Sequence, residues 1–149
     1  MSSITKKLNL AVLGSTNGTD LQAIVESIEK GETNASIEVV ISNKKDAYIL
    51  ERAKNNNIKT IFISQKKFNN NTQQQEKKTR QEFDQEVINE LDKYDVDLIL
   101  LVGYMRILSE PFVKKYKNKI MNVHPSLLPA FAGGMDLNVH EEILKAGVK

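Results

Sequence analysis

The chain has 149 residues, 40% of them hydrophobic and 27% charged, which is enough for one well-formed core and too apolar for a disordered tail. With 21 Lys and Arg against 19 Asp and Glu, the net charge is +2, too small and too mixed in sign to point to a nucleic-acid partner. No cysteine is present, which excludes disulfides, thiolate metal sites and a cysteine nucleophile, and no window approaches the roughly 18 apolar residues of a membrane span.

In chain order, residues 8–13 (Leu-Asn-Leu-Ala-Val-Leu) read as a first strand. Asn9 interrupts this apolar run before Gly14, so it is too short and broken for a signal segment, and the expected location is cytoplasmic. After the loop Gly14-Ser-Thr-Asn-Gly-Thr19, the spacing of Leu21, Ile24, Val25 and Ile28 predicts a helix over 20–30. Residues 37–41 form a second predicted strand, 46–55 a second helix and 60–63 a third strand. The polar run 69–75 (Asn-Asn-Asn-Thr-Gln-Gln-Gln) is low in complexity and reads as a flexible surface insertion. A long helix is expected over 76–94, with Phe83, Val87, Ile88 and Leu91 on one face. Residues 97–102 are nearly all apolar, the pattern of a central parallel strand covered on both sides. A short helix over 110–117, a short strand over 119–122 and a last helix over 138–146 complete the pattern. The lysines Lys114, Lys115, Lys117 and Lys119 read as a solvated helix end, and His140 as a surface or half-buried residue.

Alternation of strand and helix predicts an α/β fold with a doubly wound, mostly parallel, Rossmann-like sheet. In such sheets ligands bind beyond the carboxyl ends of the strands, where strand order reverses. The residues following Leu13, Val102 and Asn122 are therefore the ones to inspect.

The loop Asn17-Gly18-Thr19-Asp20 joins the first strand to the first helix. Backbone N–H groups at a helix start, helped by the dipole, favour a phosphate or carboxylate, and Gly18 permits a tight turn and close approach. The loop matches neither the dinucleotide-binding nor the Walker A pattern. It is equally readable as a plain turn in which Thr19 or Asp20 caps the helix. Further on, Asn122 and His124 stand two residues apart at a strand end and so project to one side. A carboxamide donor and an imidazole in that arrangement can stabilise an oxyanion and move protons in acyl transfer. A turn-forming Asn beside a buried His is the alternative.

The complete string Asn122-Val-His-Pro-Ser-Leu-Leu-Pro-Ala-Phe131, preceded by Gly103-Tyr-Met-Arg-Ile-Leu108, closely resembles the folate-dependent phosphoribosylglycinamide formyltransferases of purine synthesis. Asn17-Gly-Thr-Asp-Leu-Gln-Ala-Ile24, Ser42-Asn-Lys-Lys-Asp-Ala47 and Leu50-Glu-Arg-Ala53 are similar as well, and the likeness runs from about Leu8 to Gly147 apart from an insertion over 69–78. The resemblance implies the formyltransferase fold and direct transfer of a formyl group from 10-formyltetrahydrofolate, as co-substrate, to glycinamide ribonucleotide. It implies that Asn17, Gly18, Thr19 and Asp20 hold the ribonucleotide phosphate, with Asp20 where the family more usually has Asn. It likewise implies that Met105, Arg106, Ile107 and Leu108 line the folate site together with Asn122, and that Arg80 approaches the folate. Asn122 and His124 correspond to two members of a catalytic trio, and Pro125 to a residue lining the amine pocket. No metal is expected, since two histidines and scattered carboxylates form no ligand cluster. The expected partners are these small molecules, without nucleic acid or membrane, for a monomer or weak dimer.

The family's third catalytic residue is an aspartate in a downstream loop, and Asp136 aligns with nothing catalytic. The expectation is therefore a single formyltransferase N-terminal catalytic domain over 1–149, incomplete at its C-terminus, with the later strands missing and little or no transfer. A non-catalytic nucleotide-binding remnant is one alternative reading. Formyltetrahydrofolate deformylase and methionyl-tRNA formyltransferase are others, disfavoured by the phosphate loop and by Pro125-Ser126.

Overall fold

The computed structural model of the chain describes residues 7–123. The expected helix over 138–146, with His124, Pro125, Asp136 and His140, lies outside the described residues. Strand β1 spans Leu8–Gly14, helix α1 Thr19–Glu29, β2 Ala35–Ser42, α2 Tyr48–Asn55 and β3 Thr60–Phe62. Two short strands follow, β4 over Lys66–Asn69 and β5 over Gln74–Lys77, then α3 over Arg80–Leu91. Strand β6 spans Leu98–Val102, α4 Glu110–Lys115 and β7 Ile120–Asn122.

Five strands make one parallel sheet in the order β3-β2-β1-β6-β7. The chain moves outward from β1 to β3, then returns to the far side of β1 and moves outward again. With right-handed crossovers that reversal puts the two pairs of helices on opposite faces. One core face joins Leu10, Val12, Leu98 and Leu100 to Leu21 and Ile24 of α1 and Ile49 and Ala53 of α2. The other joins Ala11, Leu13, Ile99 and Leu101 to Phe83, Val87 and Leu91 of α3 and Phe112 of α4. Strand β6 therefore feeds both cores and all five of its residues are buried, as its unbroken apolar run predicts.

The pairing of β1 with β2 slips by one residue, because Leu10 faces Ile37 while Ala11 faces Val39. Glu38 is the extra residue, and its bulge shifts the following side chains by one step, so that Val39 lies on the same face as Ala11. Without it, Val39 and Ile41 would sit on the wrong side of the sheet.

Two expectations are corrected. The run 69–75 lies at the surface as expected, but at the tip of an antiparallel hairpin, with Lys66 opposite Lys77 and Asn69 opposite Gln74. Its stabilisation is polar. The Asn69 side-chain oxygen accepts the Asn71 N–H at 2.8 Å, Lys67 pairs with Glu82 of α3, and Lys78 reaches Glu86 at 2.5 Å. Glu76 and Lys77 consequently belong to a strand, and α3 begins at Arg80. Thr79 stops it with a capping box, accepting the Glu82 N–H at 3.1 Å while Glu82 accepts the Thr79 N–H at 2.8 Å. No helix among the described residues is long and apolar enough to cross a membrane.

Candidate functional site

Strand order reverses between β1 and β6, and the segments leaving the carboxyl ends of β1, β2 and β6 are bound to one another there. Ser15 is the node. Its N–H donates to Gly103 O at 3.1 Å, and its hydroxyl donates to Asn43 Oδ1 at 2.5 Å while accepting the Met105 N–H at 2.8 Å. Ser15 and Asn43 are both buried, so these bonds are made away from water, where an unpaired group is costly. Neither residue was singled out in the sequence. The available signals were the Ser after a strand-ending Gly and the Asn closing the second strand.

Beyond Ser15 the chain turns through Gly18, which adopts φ +72° and ψ 29° and is the N-cap of α1. A Cβ at this position would lie 2.8 Å from Ile49 Cβ and 2.9 Å from Ile49 Cα, so α1 and α2 approach closely over it. The Ile49 N–H donates to Thr16 O at 3.0 Å, and Arg52 Nε donates to Asn17 O at 2.6 Å with its guanidinium over the Tyr48 ring. The first helix of the site thus has Gly18 as its cap and no side-chain cap bond, which corrects the reading of Thr19 or Asp20 as N-cap. Both lie in its first turn, Thr19 exposed and Asp20 half-buried. Asp20 there suits the positive end of the dipole.

Helix α2 also lacks a side-chain cap, whereas α3 and α4 are capped by Thr79 and Ser109. Between the loop and the start of α2 lies an open cleft of about 540 Å³, lined by Ser15, Thr16, Asn17, Lys44, Lys45, Asp46, Ala47 and Tyr48. Of the four residues expected to hold a phosphate, Asn17 lines this cleft, while Gly18, which is buried, and Thr19 and Asp20 follow it in the chain without lining it. The N-terminal end of α2, at Ala47 and Tyr48, and two lysines against one aspartate make the cleft suited to an anion.

The segment after β6 alternates. Met105 and Ile107 are 67% and 66% exposed, while Arg106 and Leu108 turn inward. The Arg106 guanidinium stacks 3.8 Å from the Phe83 ring centroid and donates to Gln65 Oε1 at 2.8 Å, and Leu108 packs on the core face of α3 and α4. Of the four residues expected to line a folate site, the structure therefore exposes Met105 and Ile107 and uses Arg106 and Leu108 for packing. Arg80 is exposed in the first turn of α3. Tyr104 packs beside this segment, and burial, reinforced by the Asp84 carboxylate, pushes its phenol well above the usual tyrosine range. The end of the segment is held by Asp84, whose Oδ2 accepts the Ser109 N–H at 2.6 Å.

Asn122 ends β7, half-buried, in register with Leu101, which is itself in register with Leu13. The ladder continues one residue further, Val123 N–H donating to Leu101 O at 2.9 Å. Asn122 thus lies two strand spacings, about 10 Å, from β1 at the same end of the sheet. Its proposed partners His124 and Pro125 lie outside the described residues. Among the described residues no group of three or more His, Asp or Glu side chains gathers to hold a metal ion.

A family model described as formyl transferase matches residues 8–149. Phosphoribosylglycinamide formyltransferase of Escherichia coli strain K12 is 38% identical over 140 residues, covering 94% of this chain and 60% of that protein. The trifunctional purine biosynthetic protein adenosine-3 of Homo sapiens is 41% identical over 143 residues, 96% of this chain and 13% of that protein. Among solved structures, the phosphoribosylglycinamide formyltransferase of Coxiella burnetii in complex with CHES superposes with a TM-score of 0.69 at 40% identity, covering 95% of this chain and 61% of that one. The chain spans 59% of the Haemophilus influenzae phosphoribosylglycinamide formyltransferase, so its match to the bacterial relatives is to somewhat over half their length. With the parallel sheet, the strand-order reversal and the match from the first strand onward all in agreement, this chain belongs to the formyl transferase family.

Proposed function

We propose that the chain carries the glycinamide ribonucleotide and formyl-folate sites of a phosphoribosylglycinamide formyltransferase acting in purine synthesis. The observation that carries this reading is the anion-suited cleft at the carboxyl end of β1, lined by Asn17, in a chain about 40% identical to enzymes of that name.

In the proposed reaction the glycinamide amine displaces the folate from the formyl carbon, with 10-formyltetrahydrofolate as the formyl donor. Asn17 and the first turn of α1, Thr19 and Asp20 included, hold the ribonucleotide phosphate, with Gly18 keeping the backbone close. Met105 and Ile107 offer the exposed apolar surface that an aromatic pterin needs, so the residues present fit the co-substrate. Arg106 and Leu108 position that surface, and Arg80 offers a cation to the folate carboxylates. The Asn122 carboxamide donates to the oxygen that becomes anionic during transfer, an interaction typically worth about 10²–10³ in rate. His124 moves protons between the attacking amine and the departing nitrogen, and Pro125 lines the amine pocket.

The test is formyl transfer from 10-formyltetrahydrofolate to glycinamide ribonucleotide by the full chain, followed by folate absorbance, with Asn122→Ala and His124→Ala alongside. Transfer that falls at least 100-fold in both variants, with the fold unchanged, supports the assignment. A wild-type chain that binds the ribonucleotide without transferring a formyl group assigns it instead to nucleotide binding.

A further inference from the structure

We infer that Lys44 and Lys45 form the second wall of the phosphate site, gripping the phosphate monoester from the side opposite the β1–α1 loop. This deepens the proposed ribonucleotide site and rests on that reading. No role for either lysine follows from the loop 17–20, which is separated from them by the whole of α1 and β2.

The cleft brings these segments together. Asn17 and Thr16 line one side, and Lys44, Lys45, Asp46, Ala47 and Tyr48 the other. The lysines sit on a clamped turn. Ser42 is fully buried, and its hydroxyl accepts the Lys44 N–H at 3.1 Å, while Lys44 O accepts the Ala47 N–H at 3.2 Å. Lys45 and Asp46 therefore occupy the corner of a β-turn whose two ends are both fixed. The turn is also tied to the loop across the cleft, because Asn43 Oδ1 accepts the Ser15 hydroxyl at 2.5 Å and Ile49 N–H donates to Thr16 O at 3.0 Å.

Both lysine side chains are exposed, so neither carries the desolvation cost of a buried charge before a ligand arrives. Asp46 on the same wall removes one of the two positive charges, leaving the cleft with a net charge of +1 to add to the N-terminal end of α2. That balance favours a dianionic phosphate monoester over a monoanion such as a carboxylate. The ligand class is accordingly a phosphate monoester, of which glycinamide ribonucleotide is the proposed member.

The experiment titrates the full chain with inorganic phosphate, ribose 5-phosphate and glycinamide ribonucleotide by calorimetry, using wild type, Lys44→Ala, Lys45→Ala, the double variant and Lys114→Ala as a remote control. Each single variant is expected to weaken binding of the two phosphate esters about 3- to 10-fold, and the double variant more than either, with Lys114→Ala unchanged. Wild-type affinity should rise as pH passes about 6, where a phosphate monoester gains its second charge, and the rise should flatten in the double variant. If glycinamide ribonucleotide binds wild type and double variant within twofold, the lysine assignment is overturned while the enzymatic reading survives. Lysine-dependent binding of sugar phosphates in a chain without formyl transfer sustains the lysine wall and removes the enzymatic reading. Absence of any binding by wild type overturns both.

Discussion

Replacing Gly18 by Ala tests whether the approach of α1 to α2 defines this end of the molecule. The residue is left-handed at φ +72°, a conformation that costs an L-residue with a Cβ about 1–2 kcal/mol. The added Cβ would also stand 2.8 Å from Ile49 Cβ and 2.9 Å from Ile49 Cα. Ile49 is fully buried and its N–H is bonded to Thr16 O, so relief requires moving helix backbone rather than swinging a side chain. Overpacking of that kind costs about 1–3 kcal/mol, giving a total of about 2–5 kcal/mol. Gly31 supplies the control. It too is left-handed, at φ +77°, but a Cβ there meets nothing within 4 Å, so Gly31→Ala should cost only the conformational part. Urea denaturation of the three proteins separates the two contributions, since a loss of 2–5 kcal/mol moves the midpoint down by about 1–2 M. Ile49→Ala in the Gly18→Ala background should restore little, because the Ile49 Cα and Cβ remain. Equal destabilisation by Gly18→Ala and Gly31→Ala would refute the steric argument, and a loss below about 0.5 kcal/mol at Gly18 would refute both parts.

Other consequences follow from the same geometry. Ser15→Ala leaves the buried Asn43 oxygen and the Met105 N–H without their partner, and should cost about 1–3 kcal/mol by denaturation. An unchanged midpoint would remove Ser15 from its role as the node between three strands. Asp84→Ala releases the Ser109 N–H at the end of the 105–108 segment and should destabilise by a similar amount, about 1–3 kcal/mol, with hydrogen exchange rising at Ser109. Thr79→Ala deletes half of the capping box and should cost about 1 kcal/mol, with no effect on ribonucleotide binding across the molecule. At high pH, burial raises the Tyr116 phenol to about 12 and the Tyr104 phenol further still, whereas an unfolded tyrosine ionises near 10. The folded state therefore keeps protons that the unfolded state releases, so stability holds below about pH 10 and declines as pH climbs toward about 12. Ultraviolet titration should show these two phenolates appearing together with unfolding; their ionisation near pH 10 in an intact fold would contradict the burial.

Much of the architecture was legible because apolar periodicity reports which face of an element meets a core. Leu21, Ile24 and Val25 mark α1, Phe83, Val87, Ile88 and Leu91 mark α3, and the unbroken run of β6 marks a strand covered on both sides. The hairpin β4–β5 was not legible, because Phe68 is its one large apolar residue and its stabilisation comes from Asn, Lys and Glu side chains bonding the turn and α3. The start of α3 was misplaced for the same reason, although Thr79 and Glu82 carry the spacing of a capping box.

Apart from the β4–β5 hairpin, sequence alone determined the order of strands and helices along the chain, the faces they bury and the family motifs, since these depend on residue type and short spacing. The tertiary structure decided what those motifs touch. Strand order placed Ser15 against Asn43, 28 residues away, and against Met105, 90 residues away, because β2 and β6 flank β1 in the sheet. It set the Lys44–Lys45 turn across from Asn17, and it turned Arg106 inward onto Phe83 while leaving Met105 exposed. Such contacts arise from how parallel strands are shuffled within a sheet, and neither periodicity nor local propensity encodes that order.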